Sequence, residues 1–220
     1  MIAEARVPIA RMTRTRRAWM PVLGWSILAV VAGLTTRLGA DHVLRGSFGF
    51  IALPLLAYGV VAGALGGSGL KASVRPLVLL GAKAPRAAAA VVGVSCIFAA
   101  LVCAALGALV CVVAHRTGDP PVSSDALATA GISALGGAAY AAYFCAGSAI
   151  GKGTMRGLFL AMDWLVGSSA GFGSLFVPRG HVQSLLGGAQ AFEMSSKTSS
   201  LLLIGLVVAY GALAIRISRT

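Results

Sequence analysis

The sequence predicts an all-α, polytopic membrane protein of six transmembrane helices with both termini cytoplasmic. Three observations predict it. The chain of 220 residues is 58% hydrophobic and only 11% charged, where a soluble domain carries roughly 25% charged residues. Its apolar runs reach the ~20 residues needed to cross a hydrocarbon core about 30 Å thick. Its cations sort between those runs: 13 of the 18 Lys and Arg fall in four segments assigned to the cytoplasm, which is the positive-inside bias. Those segments hold Arg6, Arg11, Arg14, Arg16 and Arg17; then Lys71, Arg75, Lys83 and Arg86; then Lys152 and Arg156; then Arg216 and Arg219. The outer segments keep Arg37, Arg45, Arg116, Arg179 and Lys197, together with Asp41, Asp119, Asp125 and Glu193.

Residues 1–17 form a basic lead-in, and 18–220 a single six-helix transmembrane domain. Pro8 is expected to break any helix in the lead-in. Beyond it, Arg11, Arg14 and Arg17 recur every third residue. That spacing fits a short interfacial helix facing headgroups, or a basic tail that only sets topology. The first span covers 18–36, with Trp19 and Trp25 near its cytoplasmic end. It is longer than a signal-peptide apolar core of 7–15 residues, so cleavage is not expected. The second span covers 46–66 and carries Gly59, Gly63 and Gly67 four apart, a ladder that admits a close helix neighbour.

A cytoplasmic stretch follows from Gly66 to Arg86, GGSGLKASVRPLVLLGAKAPR. Leu70, Val74, Leu77 and Val78 keep helical spacing, which predicts a short amphipathic helix across the cytoplasmic mouth; a plain basic loop is the alternative. Spans three and four cover 87–114 and 126–150. Span five covers 157–177. Val182, Leu185, Leu186, Ala189 and Phe192 then trace an apolar stripe, an outer amphipathic helix too short and polar to span, which is expected to lie in the outer interface or to dip in and return. Span six covers 201–215.

Several chemistries are excluded. The net charge of +12 does not indicate nucleic acid, because the cations flank apolar runs and form no continuous polar face; anionic lipids account for them better. Cys96, Cys103, Cys111 and Cys145 form no C-x-x-C pair and fit no zinc spacing. Gly147-Ser-Ala-Ile-Gly-Lys-Gly-Thr154 resembles a phosphate-binding loop but has three residues between its glycines and Gly153 after Lys152, where the pattern needs four and a hydroxyl. His42, His115 and His181 share the outer side but are far apart, and no metal is expected. No catalytic set is visible, so neither an enzyme nor a cofactor is expected. Asp163 is the one acidic residue inside an expected span. Intramembrane carboxylates are costly; it is expected to line a pathway, to pair with Lys152 or Arg156, or to snorkel to the interface.

The layout resembles the membrane (permease) subunit of an ABC-2 type transporter. The resemblance rests on Arg75-Pro-Leu-Val-Leu-Leu-Gly-Ala-Lys83, with Pro85 and Arg86, leading into span three, and on the outer stripe from Val182 to Phe192. It covers nearly the whole chain, by layout more than by motif. It implies a permease, an exporter in the bacterial inner membrane, that hydrolyses no ATP itself. Its partners would be a separate cytoplasmic ATP-binding cassette ATPase and a second permease copy or paralogue, within the lipid bilayer. A coupling helix between spans two and three would engage the ATPase through Leu70, Lys71, Val74, Arg75, Leu77, Leu80 and Lys83. Leu77 and Leu80 would be the anchors there, with Arg75 and Lys83 at the rim. A non-transport membrane scaffold or assembly factor is the alternative, and a multi-span membrane enzyme a more distant one.

Overall fold

Long runs of Ala, Val, Leu and Gly satisfy their backbone only as helix when water is absent, and the chain is helical accordingly. The computed structural model describes residues 2–14, 16–36, 38–151, 153–169, 171–188 and 194–219, with backbone only at 2, 3, 14 and 16–18. In chain order these form α1 (Ile2–Arg14), α2 (Arg16–Thr35), α3 (Ala40–Val43), a π-helical segment (Leu44–Ala52), α4 (Leu53–Leu65), α5 (Leu70–Leu79), α6 (Ala84–Ala114), α7 (Val122–Ala149), α8 (Met155–Gly167), a 3-10 turn (Phe172–Phe176), α9 (Pro178–Leu185) and α10 (Ser196–Ile217). No strand occurs among the described residues.

Four helical stretches are long and apolar enough to cross a membrane: the run Ala40–Leu79, α6, α7 and α10. The first is broken by a turn at 66–69, where Gly66 (φ 64°) ends α4 in the left-handed region, so its membrane-length part is 40–65, with a kink at Gly46. Trp19–Thr35 is a shorter apolar helix. α6 and α7 make the most extensive pairing, and α10 lies on α7. Gly137 permits the α6–α7 contact, since a Cβ there would sit 2.7 Å from the Ala99 carbonyl oxygen. Of the glycine ladder, Gly59 does face another helix, meeting Pro21 and Val22 of α2.

Three expectations change. α1 runs through Pro8 without a break. Proline removes one helical hydrogen bond, but Met12 is buried and accepts a hydrogen bond from the Trp19 indole through its carbonyl, and α1 packs on α4 and α6. Tertiary contact outweighs the lost bond.

Span five is not one helix over 157–177. α8 ends at Gly167 after 13 residues, about 20 Å of rise against a core of about 30 Å. Ser168, Ser169, Gly171 and Gly173 break it, and the chain reverses through the 3-10 turn.

The outer amphipathic helix is α9, and it is not laid on an interface. Pro178, Arg179, Gly180, His181 and Val182 are all buried against α7, α8 and α10. Ala189 and Phe192 of the expected stripe lie outside the described residues, as do Arg37, Lys152 and Glu193.

Candidate functional site

Two places concentrate the residues of interest. The first is α5. Its inner stripe, Leu70, Ser73, Val74 and Leu77, is buried on α6 and α7. Its other side carries Lys71, Arg75, Val78, Leu79 and Leu80, all exposed, and Lys83 follows, also exposed. Leu80 is 83% exposed and Leu77 5%. The seven sequence-predicted residues therefore divide. Leu70, Val74 and Leu77 hold α5 to its own chain and are not available as anchors for a partner. Lys71, Arg75, Leu80 and Lys83 are presented outward, and Leu79 joins them at 78% exposure.

α5 is also tied to its neighbours. Arg11 of α1 donates from Nη1 to the Ser73 carbonyl at 3.3 Å, rather than facing headgroups. Gly153 (φ 94°) in the α7–α8 loop approaches so closely that a Cβ would lie 2.9 Å from the Gly69 nitrogen. A displacement of α5 thus reaches α1, α6 and the start of α8 through direct contacts.

The second place is a buried polar cluster between α7, α8, α9 and the π-helical segment. Asp163, on α8, is fully buried and pairs with Arg179 of α9 rather than with Arg156, and it does not snorkel; Lys152 lies outside the described residues. Its Oδ2 accepts from Arg179 Nε at 3.0 Å and from the Tyr140 hydroxyl at 3.2 Å. Its Oδ1 accepts the Arg179 backbone N–H at 3.1 Å. The carboxylate therefore caps the start of α9, where unpaired N–H groups and the helix dipole favour negative charge. Gly167 allows the two helices to meet, since a Cβ there would lie 2.6 Å from Arg179 Cβ. The guanidinium lies 4.1 Å from the Phe50 ring centroid, and its Nη2 donates to the Phe50 carbonyl at 2.9 Å. Tyr210 of α10 fastens the turn below by donating to the Phe176 carbonyl at 2.6 Å.

Sequence reasoning places Asp163 in a span and Arg179 outside it, and so misses the pair. The signal that reveals it is the Ser/Gly run at 167–173 followed by Pro178, which marks a reversal and brings residues 163 and 179 side by side. Asp163 accepts from Arg179 and Tyr140, an arrangement that fits positioning of the α8–α9 hairpin. The histidines do not gather: His42 is exposed on α3, His115 closes α6, and His181 is buried in α9 with Nε2 against the Leu175 carbonyl.

Comparison of the chain with protein-family models, with curated proteins and with solved structures returns no match.

Proposed function

We propose that this chain is the permease subunit of an ABC-2 type transporter, an exporter of the bacterial inner membrane. In this reading the chain makes six passes, the fifth carried by the short helix α8, with α9 folded back into the outer half of the bundle before α10 makes the sixth. Both termini are cytoplasmic, and the unit works with a second permease copy or a paralogue. A separate cytoplasmic ATPase docks on α5 and hydrolyses ATP; the permease carries out no chemistry and shifts between packed arrangements that the partner's nucleotide state biases.

The observation that carries the reading is the two-sidedness of α5. One face is fastened to α6 and α7, and the other offers Leu79 and Leu80 among Lys71, Arg75 and Lys83. Apolar side chains of this kind fill a groove on a partner, while rim cations set association rate and partner choice more than affinity. The contacts to Arg11 and Gly153 give the docked element a physical route into the helices.

The experiment is recovery of a cytoplasmic ATP-binding cassette ATPase together with this chain from native membranes holding wild type or variants. Leu79→Asp with Leu80→Asp should release the ATPase and leave the permease stable, at a loss of roughly 2–4 kcal/mol of binding. Leu77→Asp should instead lower the permease's own stability, because it places a charge in the buried stripe. Full ATPase recovery by the Leu79/Leu80 double variant refutes the docking assignment, and failure to recover any ATPase with the wild type favours a scaffold.

A further inference from the structure

The buried charges of the described residues do not balance. Arg156, Asp163 and Arg179 are the charged side chains in the interior. Asp163 and Arg179 neutralise each other. Arg156 is 5% exposed, and its Nε and Nη1 are enclosed with no hydrogen-bond partner. Its guanidinium lies over an aromatic face, with the guanidinium carbon 4.9 Å from the Tyr58 ring centroid. That contact holds one face of the planar group and leaves its N–H edges, which are the donors, without acceptors.

A guanidinium stays charged under all ordinary conditions, so it cannot escape burial by losing its proton. Native proteins pair buried charges, because the desolvation cost is otherwise uncompensated. The surroundings say what kind of pair is missing. Arg156 is the second residue of α8, and helical side chains lean toward the N-terminal end of their helix. That end carries the positive pole of the dipole and has no side-chain cap. The loop before it turns through Gly151 (φ 69°) and Gly153 (φ 94°), with Gly151 and Thr154 exposed. Cation and helix pole both select an anion, and the guanidinium fork matches an oxyanion with two acceptor oxygens.

We propose that Arg156, held flat on Tyr58 at the start of α8, binds a phosphate-type oxyanion, carried on an anionic lipid headgroup or as free phosphate. The proposal goes beyond the permease reading and does not depend on it, since it needs neither an ATPase nor transport.

The test uses the full chain purified in neutral detergent, with its thermal midpoint followed by tryptophan fluorescence. The probes are inorganic phosphate, short-chain phosphatidylglycerol and short-chain phosphatidylcholine. The expected result is a rise of about 5 °C or more at a large excess of the anionic probe, with phosphatidylcholine inert. A response to phosphatidylglycerol alone assigns the oxyanion to lipid; a response to both assigns it to phosphate itself. Arg156→Met should abolish the rise and, by removing an unpaired buried charge, raise the midpoint of the unliganded protein. Arg156→Lys keeps the charge without the fork, and should need at least about tenfold more probe. The proposal is overturned if neither anionic probe moves the wild type, if phosphatidylcholine moves it equally, or if Arg156→Lys responds as the wild type does.

Discussion

Arg179 donates from Nη2 to the carbonyl oxygen of Phe50, 2.9 Å away and 129 residues earlier in the chain. The α-helical donor to that carbonyl is missing for a covalent reason. In an α-helix Phe50 would receive the N–H of residue 54, and residue 54 is proline, which has none. The same stretch is π-helical over Leu44–Ala52, with a non-helical Gly46 (φ −85°, ψ −107°) inside it. An irregular length of backbone is tolerated at membrane depth only where protein satisfies it, and Arg179 contributes to that. The cation in turn is neutralised by Asp163 at 3.0 Å. One side chain thus joins the α8–α9 hairpin to the irregular half of the 40–65 helix.

Breaking this pair from one side should be expensive. Asp163→Asn or Arg179→Met leaves a buried, unmatched group, and each should cost about 3–5 kcal/mol. Asp163→Leu combined with Arg179→Met removes both charges and should cost much less than the sum of the single changes. Unfolding in mixed micelles with increasing anionic detergent measures all of them. Strictly additive costs would show that the two residues do not act as a unit.

The parts of this fold that are legible in the sequence are those set by local composition. α6 and α10 coincide with apolar runs that nothing interrupts, and α7 follows the span expected at 126–150. The hairpin is harder to see, because an apolar run from Leu158 to Val177 satisfies a hydropathy reading even though Ser168, Ser169, Gly171 and Gly173 end the helix inside it. Burial of α9 is illegible for a different reason. Its stripe of Val182, Leu185 and Leu186 looks amphipathic whether the polar face meets water or a buried partner, and Arg179 meets Asp163. On α5, periodicity finds the helix, but it cannot tell that Leu77 turns inward and Leu80 outward.

The charge asymmetry makes a topological prediction that accessibility labelling tests. Cysteines placed at Asp41 and Thr117 should react with an impermeant thiol reagent added from outside. Cysteines at Lys71 and Arg75 should react only after permeabilisation. The background should be low, because Cys103, Cys111 and Cys145 are buried and Cys96 is partly so. Outside labelling at Lys71 would overturn the proposed orientation.

Asp119 should make the α2–α3 turn and the α6–α7 loop sensitive to acid, and only to strong acid. Its Oδ2 accepts the Arg116 backbone N–H at 2.8 Å and the Ala40 N–H at 3.4 Å, joining the α2–α3 turn to the α6–α7 loop. The Arg116 N–H, first among its partners, holds the carboxyl below the usual carboxylate range. A lowered value in the folded state means stabilisation that is present above the unfolded value of about 3.9 and lost as pH falls through the folded one. Hydrogen exchange at residues 115–121 should therefore be protected to the same degree from pH 8 to pH 5 once the intrinsic rate is removed. Protection should fall only below about pH 4. Asp119→Asn should lose that dependence and exchange faster at neutral pH. An unchanged profile in the variant would show that the carboxylate does not hold the loops.

Pro54 offers the most selective test of the Arg179 contact. Pro54→Ala returns an N–H to the position four residues after Phe50, so the carbonyl gains a helical donor and depends less on the guanidinium. Arg179→Lys keeps the charge beside Asp163 but replaces the planar fork with a single ammonium, which cannot serve Asp163 and the Phe50 carbonyl in the same geometry. In the natural background this change should cost about 1.5–3 kcal/mol, the range for a hydrogen bond to a charged group. With Pro54→Ala present, the cost should fall by about 1 kcal/mol, because one of the two acceptors has been satisfied from within its own helix. The four proteins of this cycle can be compared by the same detergent-induced unfolding. A coupling near zero would mean that the carbonyl finds another donor when Arg179 is shortened, and that the proline is not what opens it. A coupling of the expected size and sign would tie a single missing backbone hydrogen, through one arginine, to the position of the α8–α9 hairpin.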